Sequence, residues 1–470
     1  MRSGIRIIPL LFLWLITIAN AAITESVSLE ALHAIMQEKP IEVVHTFPEK
    51  QALDKKIIIY NDQSNKPYII SNTDLISSLK ITNSVLKKTY IKNSIVHDVA
   101  YLNENTLNGK FTIYLSEFIK PFDIKHTYID DYFSIYSSRF DDRFNLSFSR
   151  INGSAWISSN QFSGATLFLN TSFLQDSHIL NSVFENELNC AYATFNEVME
   201  FDNNIFYGDV ILDGAFMNNS LSFHNSIFYK ELSLNNTLLP KYVDFSGVVI
   251  KGKRINLYHA KPSVPRQKIY INILNTDINQ IDFDYINYRL FFPKEISHQQ
   301  KLHIYSLLLG KFEKSGMTRS YETLYREFRE YKLLHKNQYI MNYIDKYWWD
   351  YGLHKEIIYL WFLTIFIALT LLNCFFYDKL VSKYFNIHFL KKTKPSVICQ
   401  INPILHYMYN IPRATLLTLF FVFATFLQVL TNEDRIFKSD QFLINTYVII
   451  INCLGYVFIL FVFDSILSQT

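Results

Sequence analysis

The chain has 470 residues, of which 49% are hydrophobic, 16% are aromatic and only 19% are charged. Such a composition excludes a disordered chain and is unusual for a soluble enzyme, so we expect a folded protein with a membrane part. The formal net charge of +3 does not require a nucleic-acid partner. The four cysteines are too scattered to predict a disulfide framework or a zinc site; they are Cys190, Cys374, Cys399 and Cys453.

Residues 1–21 have the pattern of a secretory signal peptide. Arg2 and Arg6 precede the apolar run 7–18, and Ala19-Asn20-Ala21 offers the small residues that a signal peptidase accepts. The alternative is an uncleaved anchor, but an apolar run of about 12 residues is shorter than the ~20 that a bilayer requires. We therefore expect cleavage after Ala21.

Residues 22–74 predict an N-terminal cap. The segment 26–38 has the apolar spacing of an amphipathic helix, and the strand-like stretch 41–44 follows it. A helix just upstream of a long β region is suited to covering an open sheet end.

A periodic pattern begins near Leu75. From Val96 to Ile250, apolar residues recur at alternating steps of six and five, although only 49% of the chain is hydrophobic. This period of 11 is incompatible with a helix, whose period is about 3.6.

Short residues stand two positions before each apolar residue that ends a five-residue step. Because residues i−2 and i of a strand share a face, both point inward, which predicts a narrow β-solenoid with room only for small side chains at its corners. Asparagines three places before the large apolar residue suit the turns; they are Asn170, Asn181, Asn203, Asn225 and Asn236.

The runs 162–173, 180–195 and 207–228 resemble degenerate pentapeptide repeats. The resemblance implies a mainly β fold, a right-handed parallel β-helix with four sides, over residues 75–285. Two 11-residue units would complete one coil, and a step of six replaces every second pentapeptide. Two opposite interior columns are then expected, one formed by Phe118, Phe140, Phe162, Phe184, Phe206 and Phe228, the other by Ile129, Ile151, Phe173, Phe195, Met217 and Leu239.

The periodicity fades in the loop 258–268, and 275–283 can form one more coil. Residues 286–352 then show helical spacing on both sides of Ser315-Gly316, which predicts a helical hairpin that acts as a cap and connector. The order of solenoid, hairpin and the sequence WWDYG at 348–352 resembles the membrane-tethered branch of pentapeptide-repeat proteins.

Residues 353–470 predict an all-α membrane domain of three transmembrane helices, near 357–377, 414–430 and 443–463. The loop 378–413 is basic, whereas the loop 432–441 is acidic. The positive-inside rule therefore places the first loop in the cytoplasm. Together with the signal peptide, this predicts a bacterial inner-membrane protein with its solenoid in the periplasm and its C-terminus in the cytoplasm.

No sequence motif for a nucleophile, a nucleotide or a metal is present, so we expect no enzyme and assign no catalytic, cofactor-binding or metal residues. Some parallel β-helices cleave polysaccharides with clustered acids, but the acids here fall mostly on outward, solvated positions; they are Glu185, Glu187, Glu197, Glu200, Asp202 and Asp209. His224 is interpreted as a lone surface histidine and Cys190 as a packed thiol.

The favoured function is a non-enzymatic, membrane-anchored solenoid that presents a rigid surface for protein or envelope contacts. Its outward Tyr, Asn and Lys residues over 96–250 and the basic loop 261–268 would form that surface, and its partners would be the membrane and an unidentified protein. The alternative is an ion channel or transport component in which the spans form a homo-oligomer around a pore. Leu454-Gly455-Tyr456 is the only hint of a potassium filter, and a helix contact explains this glycine better. Asn452 and Asp464 are further polar residues in or near the last span.

Overall fold

The structure, a computed structural model, describes residues 45–377, 380–381 and 403–422, together with single positions and short runs between 442 and 460. The chain divides into two compact units, Met1–Tyr321 and Glu322–Thr470, and each is described by itself. The predicted signal peptide, the N-terminal helix, the strand at 41–44 and the loop 432–441 lie outside the described residues.

The first unit is a parallel β-solenoid of about 11 turns, which confirms the mainly β prediction. Phe118 pairs with Phe140 and Phe140 with Phe162, so each strand lies beside the strand 22 residues away. Two 11-residue units therefore complete one coil, as the repeat predicted. At about 4.8 Å per coil, the stack is about 53 Å long.

Each coil contributes one strand to each of four ladders. The first ladder contains Ile95–Val96, Glu117–Phe118, Arg139–Phe140, Gln161–Phe162, Val183–Phe184, Ile205–Phe206, Ile227–Phe228 and Val249–Ile250. The second contains Ile57–Tyr60, Leu79–Thr82, Ala100–Asn103, Phe122–Asp123, Phe144–Asn145, Thr166–Leu167, Leu188–Asn189, Val210–Ile211 and Leu232–Ser233, and the separate pair Ile255–Asn256 and Ile281–Asp282 follows.

The third ladder contains Thr106–Leu107, Tyr128–Ile129, Arg150–Ile151, Ser172–Phe173, Thr194–Phe195, Phe216–Met217, Leu238–Leu239 and Lys261–Pro262. The fourth contains Phe111–Tyr114, Phe133–Tyr136, Ala155–Ser158, Ser177–Leu180, Val198–Glu200, Ser220–Ser222, Tyr242–Asp244, Ile269–Asn272 and Tyr288–Leu290.

The parallel pairing reaches further toward the N-terminus than the boundary at residue 75 expected from the periodicity. Longer strands open the stack, namely His45–Leu53, Lys66–Leu75 and Val85–Lys92. Their register is irregular, with a bulge in the pairing of the first two, so the 11-residue pattern does not mark them in the sequence.

The turns carry a left-handed residue once every 11 positions. The five predicted asparagines have φ values between 51° and 57°. Asparagine tolerates this conformation, which costs most other residues free energy. Tyr192 also adopts it, and a Cβ atom at Gly214 in the next coil would lie 2.7 Å from the Tyr192 ring, so this pair requires glycine there.

The interior is apolar and dry. Successive rings of the column from Phe118 to Phe228 lie 4.9 to 5.2 Å apart between centroids. The opposite column is also in register, and Phe173 and Phe195 stack at 5.1 Å. Both predicted columns are confirmed, and their side chains are at most 2% exposed.

The short residues do more than save space. Along the first ladder, the backbone N–H of each one donates a hydrogen bond to the side-chain oxygen of the next, 22 residues on, at 2.8 to 3.3 Å. The members of this column are Ser94, Ser116, Ser138, Asn160, Ser182, Asn204 and Ser226. The chain thus satisfies buried donors at a corner where no strand pairing is available.

Helix α1, His298–Lys314, covers the C-terminal end of the stack. Phe312 is fully buried against the ring of Phe283, and Lys311 forms an ion pair of 2.9 Å with Asp282. Gly316, with φ 67°, ends this helical segment at the predicted break. The predicted capping role is therefore found in α1.

Helix α2 is Thr318–His335, and the second unit also contains α3, Tyr339–Trp348, and α4, Glu356–Phe375. Short 3₁₀ turns occupy Ile278–Gln280 and Asp350–Gly352. Within the described residues, α4 is the one helix long and apolar enough to cross a membrane, with a mean hydropathy of 2.2. Helix α5, Pro403–Val422, includes the start of the second predicted span, and of the third span only scattered helical positions are described.

Candidate functional site

A groove of about 550 Å³ runs along the outer surface of the fourth ladder near its C-terminal end. It is lined by carboxylates, hydroxyls and aromatic rings from four successive coils; among its residues are Glu200, Asp202, His224, Tyr242, Asp244 and Tyr270. The interior of the stack is filled by side chains, so a ligand must bind on the outer surface, where this groove offers space.

One outward column forms the floor of the groove. Strand register places Trp156, His178, Glu200, Ser222, Asp244 and Asn272 beside one another in that order. The rings of Trp156 and His178 lie 4.1 Å apart, and His178 Nδ1 lies 2.7 Å from Glu200 Oε2. Asn272 donates a hydrogen bond of 3.1 Å to Asp244. These contacts hold the polar side chains in fixed positions.

Asp202 lies at the side of this column. Its Oδ1 accepts a hydrogen bond of 2.6 Å from the Ser222 hydroxyl and one of 2.9 Å from the backbone N–H of His224. Burial is the main cause that raises the pKa of Asp202, and the hydrogen bond from Ser222 opposes it. A carboxylate half removed from water is a strong acceptor for a ligand that can replace the missing solvent.

Aromatic rings form the wall of the groove. The ring of Tyr242 lies 5.6 Å from that of Tyr270 and meets Phe291 edge-on at 5.9 Å. The Lys241 ammonium lies 5.0 Å from the Tyr242 centroid and 5.8 Å from the Tyr270 centroid. This cation–π arrangement keeps both tyrosines upright at the surface.

The groove can therefore accept hydrogen bonds and offer flat apolar surface at once. Carboxylate and hydroxyl oxygens suit a ligand rich in hydroxyl, amide or ammonium groups, and tyrosine rings suit its apolar faces. Within the described residues, no group of three or more His, Cys, Asp and Glu side chains could hold a metal ion.

The structure brings two of the six acids considered from the sequence, Glu200 and Asp202, into the groove. The other four do not line it. Among them, Glu185 accepts from Gln161 at 2.6 Å and Glu197 from Asn219 at 3.0 Å, both at exposed positions.

The interpretation of His224 as a lone surface histidine is wrong, because its Nδ1 lies 2.8 Å from Ser246 Oγ and its N–H is bonded to Asp202. Sequence reasoning also missed His178, Tyr242 and Tyr270. Their common signal is a spacing near 22 at outward positions, which becomes meaningful only once the number of residues per coil is known. Cys190 is fully buried, as expected of a packed thiol, and burial raises its pKa.

The basic loop is only partly available for contacts. Lys261 and Arg266 are exposed, but the Lys268 ammonium donates a hydrogen bond to the carbonyl oxygen of Ile286. Lys268 is therefore a structural residue as well as a charge, and a variant that reverses it would disturb the fold.

In the second unit, Gly455 packs against the backbone of another helix. A Cβ atom there would lie 2.1 Å from the carbonyl oxygen of Val422. This confirms the helix-contact interpretation of Leu454-Gly455-Tyr456. A buried polar cluster lies nearby, in which Asn373 donates to Thr418 at 2.8 Å and accepts from the Tyr447 hydroxyl at 2.7 Å.

Four ladders of parallel strands, wound on a repeat of 22 residues, define a β-solenoid repeat protein with a groove on one face. No family model, no curated protein and no solved structure matches this chain.

Proposed function

We propose that this chain is a non-enzymatic, membrane-anchored β-solenoid that presents a rigid surface for protein or envelope contacts. The observation that carries the proposal is the contrast between the two sides of the coil. The interior is filled by stacked rings, whereas the outer groove holds polar acceptors and tyrosines in fixed positions. Binding therefore takes place on the outer surface.

The same proposal assigns the chain to the membrane-tethered pentapeptide-repeat proteins, with right-handed coils. The 22-residue coil and its short corner residues support this assignment. The proposal also includes cleavage of the signal peptide and a periplasmic location for the solenoid, on the strength of the N-terminal pattern and the basic loop 378–413.

We further propose three membrane spans. Helix α4 supports the first. The hydrogen bonds that join Asn373 to Thr418 and Tyr447 support the other two, because they connect the three predicted spans through side chains that are buried or half-buried. Polar groups of this kind stabilise helix contacts in lipid.

Glu200 and Asp202 are assigned a binding role and no catalytic one. Glu200 is paired with His178, and Asp202 accepts two hydrogen bonds from the protein. Both carboxylates are thus oriented as fixed acceptors along the groove.

A matched pair of double variants tests the groove. Tyr242 and Tyr270 form a tyrosine pair beside Lys241, and outside the groove Tyr207 and Tyr229 form a second one, with ring centroids 4.5 Å apart and Lys251 4.6 Å from Tyr229. We expect Tyr242→Ala with Tyr270→Ala to abolish recovery of crosslinked partners from intact cells. The Tyr207→Ala, Tyr229→Ala variant should retain it.

Equal recovery by both variants would refute the groove as the contact surface. Loss only with Lys261→Glu and Arg266→Glu would move the surface to the basic loop. Loss only when 357–470 is replaced by an unrelated anchor would favour the alternative function, an oligomeric channel or transport component. The buried cluster around Asn373 favours that alternative, since polar groups inside spans often serve transport, and ionic current in reconstituted bilayers would decide it.

A further inference from the structure

Helix α3, Tyr339–Trp348, has the polarity of a soluble helix turned inside out. Its buried side chains are polar, with Asn342 9% exposed and Asp345 5% exposed. Its large apolar side chains are instead 45% to 78% exposed; they are Tyr339, Ile340, Met341, Tyr343, Ile344 and Tyr347.

Hydrogen bonds fix this orientation. The Tyr351 hydroxyl donates to Asn342 at 2.9 Å, and Asp345 accepts from Arg329 at 2.8 Å and from Trp349 Nε1 at 3.2 Å. Two of these acceptor contacts are to one carboxylate, and the bond from Arg329 is charge-assisted. A rotation that buried the apolar side would break all three contacts and leave a guanidinium and a carboxylate unpaired.

The exposed apolar side is continuous with the apolar helix that follows. Trp361 in α4 donates a hydrogen bond of 2.8 Å to the backbone carbonyl of Tyr347 in α3, and its ring stacks on that of Trp348 at 6.2 Å. Beyond Trp361, the side chains of α4 that are most exposed are Leu363, Ile367, Leu371 and Phe375. Tryptophans and tyrosines at this junction match the side chains preferred at the level of lipid head groups.

We propose that α3 lies in the membrane interface, with its tyrosines and isoleucines at the boundary of head groups and acyl chains and its polar side bonded to Arg329 and Tyr351. The inference rests on the proposed membrane anchoring through α4. Monomeric soluble proteins rarely expose so large an apolar patch, and an amphipathic helix beside a span finds its apolar environment in the same bilayer.

Photocrosslinking of the full-length protein in phospholipid vesicles tests this placement. Tyr343 is 67% exposed and Tyr192 in the solenoid is 69% exposed, so they form a matched pair. Each is replaced in turn by p-benzoylphenylalanine, and a third variant carries the same probe at Leu360 in α4. We expect phospholipid adducts, detected by mass spectrometry, at positions 343 and 360 and none at position 192.

The outcomes separate the two proposals. Adducts at 360 without any at 343 would overturn the interfacial helix and leave the anchor intact. Crosslinked dimers at 343 would show that a second copy of the chain covers this side, which also overturns it. Loss of adducts at both positions would overturn the membrane anchor itself. As a second measurement, Ile340→Glu with Tyr343→Glu should abolish lipid adducts from a probe at Tyr347 and keep those at 360; unchanged adducts at 347 would contradict the proposal.

Discussion

The backbone N–H of Asn160 donates a hydrogen bond of 3.1 Å to the Ser182 hydroxyl of the next coil. Both residues are buried, at 3% and 1% exposure. Ser182 in turn donates to the carbonyl oxygen of Leu180 and passes the pattern on through its own N–H to Asn204. The first ladder is therefore held together at its corners by side chains as well as by strand pairing.

Ser182→Ala should destabilise the solenoid by about 1 to 3 kcal/mol, because it leaves the buried N–H of Asn160 without a partner. The measurement is chemical unfolding followed by circular dichroism. Ser158→Ala is the control, since the Ser158 hydroxyl makes only an exposed contact with Ser159 and its loss should change little. Equal stability of the two variants would contradict a structural role for the short residues.

Phe184→Asp should unfold part of the stack. Phe184 is 1% exposed between Phe162 and Phe206, with ring centroids at 5.0 and 5.2 Å, so the variant loses its stacking and buries an unpaired carboxylate. The cost is several kcal/mol. Thermal melting checks this, with Phe184→Leu as a milder control, and an unchanged melting temperature in the Asp variant would refute the register of the column.

Asp202→Asn should flatten the pH dependence of stability in the acid range. Burial raises the folded-state pKa of Asp202 above its usual value of 3.8, so the folded state binds this proton more tightly than the unfolded state. Stability from this group therefore rises as the pH falls from above the folded-state pKa to below 3.8. The amide variant would lack this contribution, while its side-chain oxygen could still accept from Ser222 and His224. A pH profile of melting temperature identical to that of the wild type would contradict the raised pKa.

Reporter fusions test the proposed topology. Alkaline phosphatase fused after Leu239 should be active, since it folds only in an oxidising compartment. The same enzyme fused after Lys392 should be inactive, because the basic loop is expected in the cytoplasm. The opposite pattern would overturn both the signal-peptide and the positive-inside arguments.

The repeat, its apolar columns and the positions of its turns could be read from the sequence because a solenoid is nearly one-dimensional. Each coil repeats the environment of the previous one, so Phe162, Phe184 and Phe206 face the same demand and carry the same residue. The asparagines at left-handed turns follow from local chemistry, which the sequence displays directly. The first coils after His45 were less visible because their register shifts at a bulge.

The groove depended on the tertiary structure. His178, Glu200 and Asp244 share a face only because one coil takes 22 residues, with six more inserted between Asp244 and Asn272. The reversed polarity of α3 likewise follows from partners distant in sequence, since Asp345 becomes a buried residue when Arg329 lies beside it. Sequence period determined which residues turn inward along the repeat, whereas contacts between coils and between helices decided which outward residues meet, because those contacts depend on coil length and on the inserted loop.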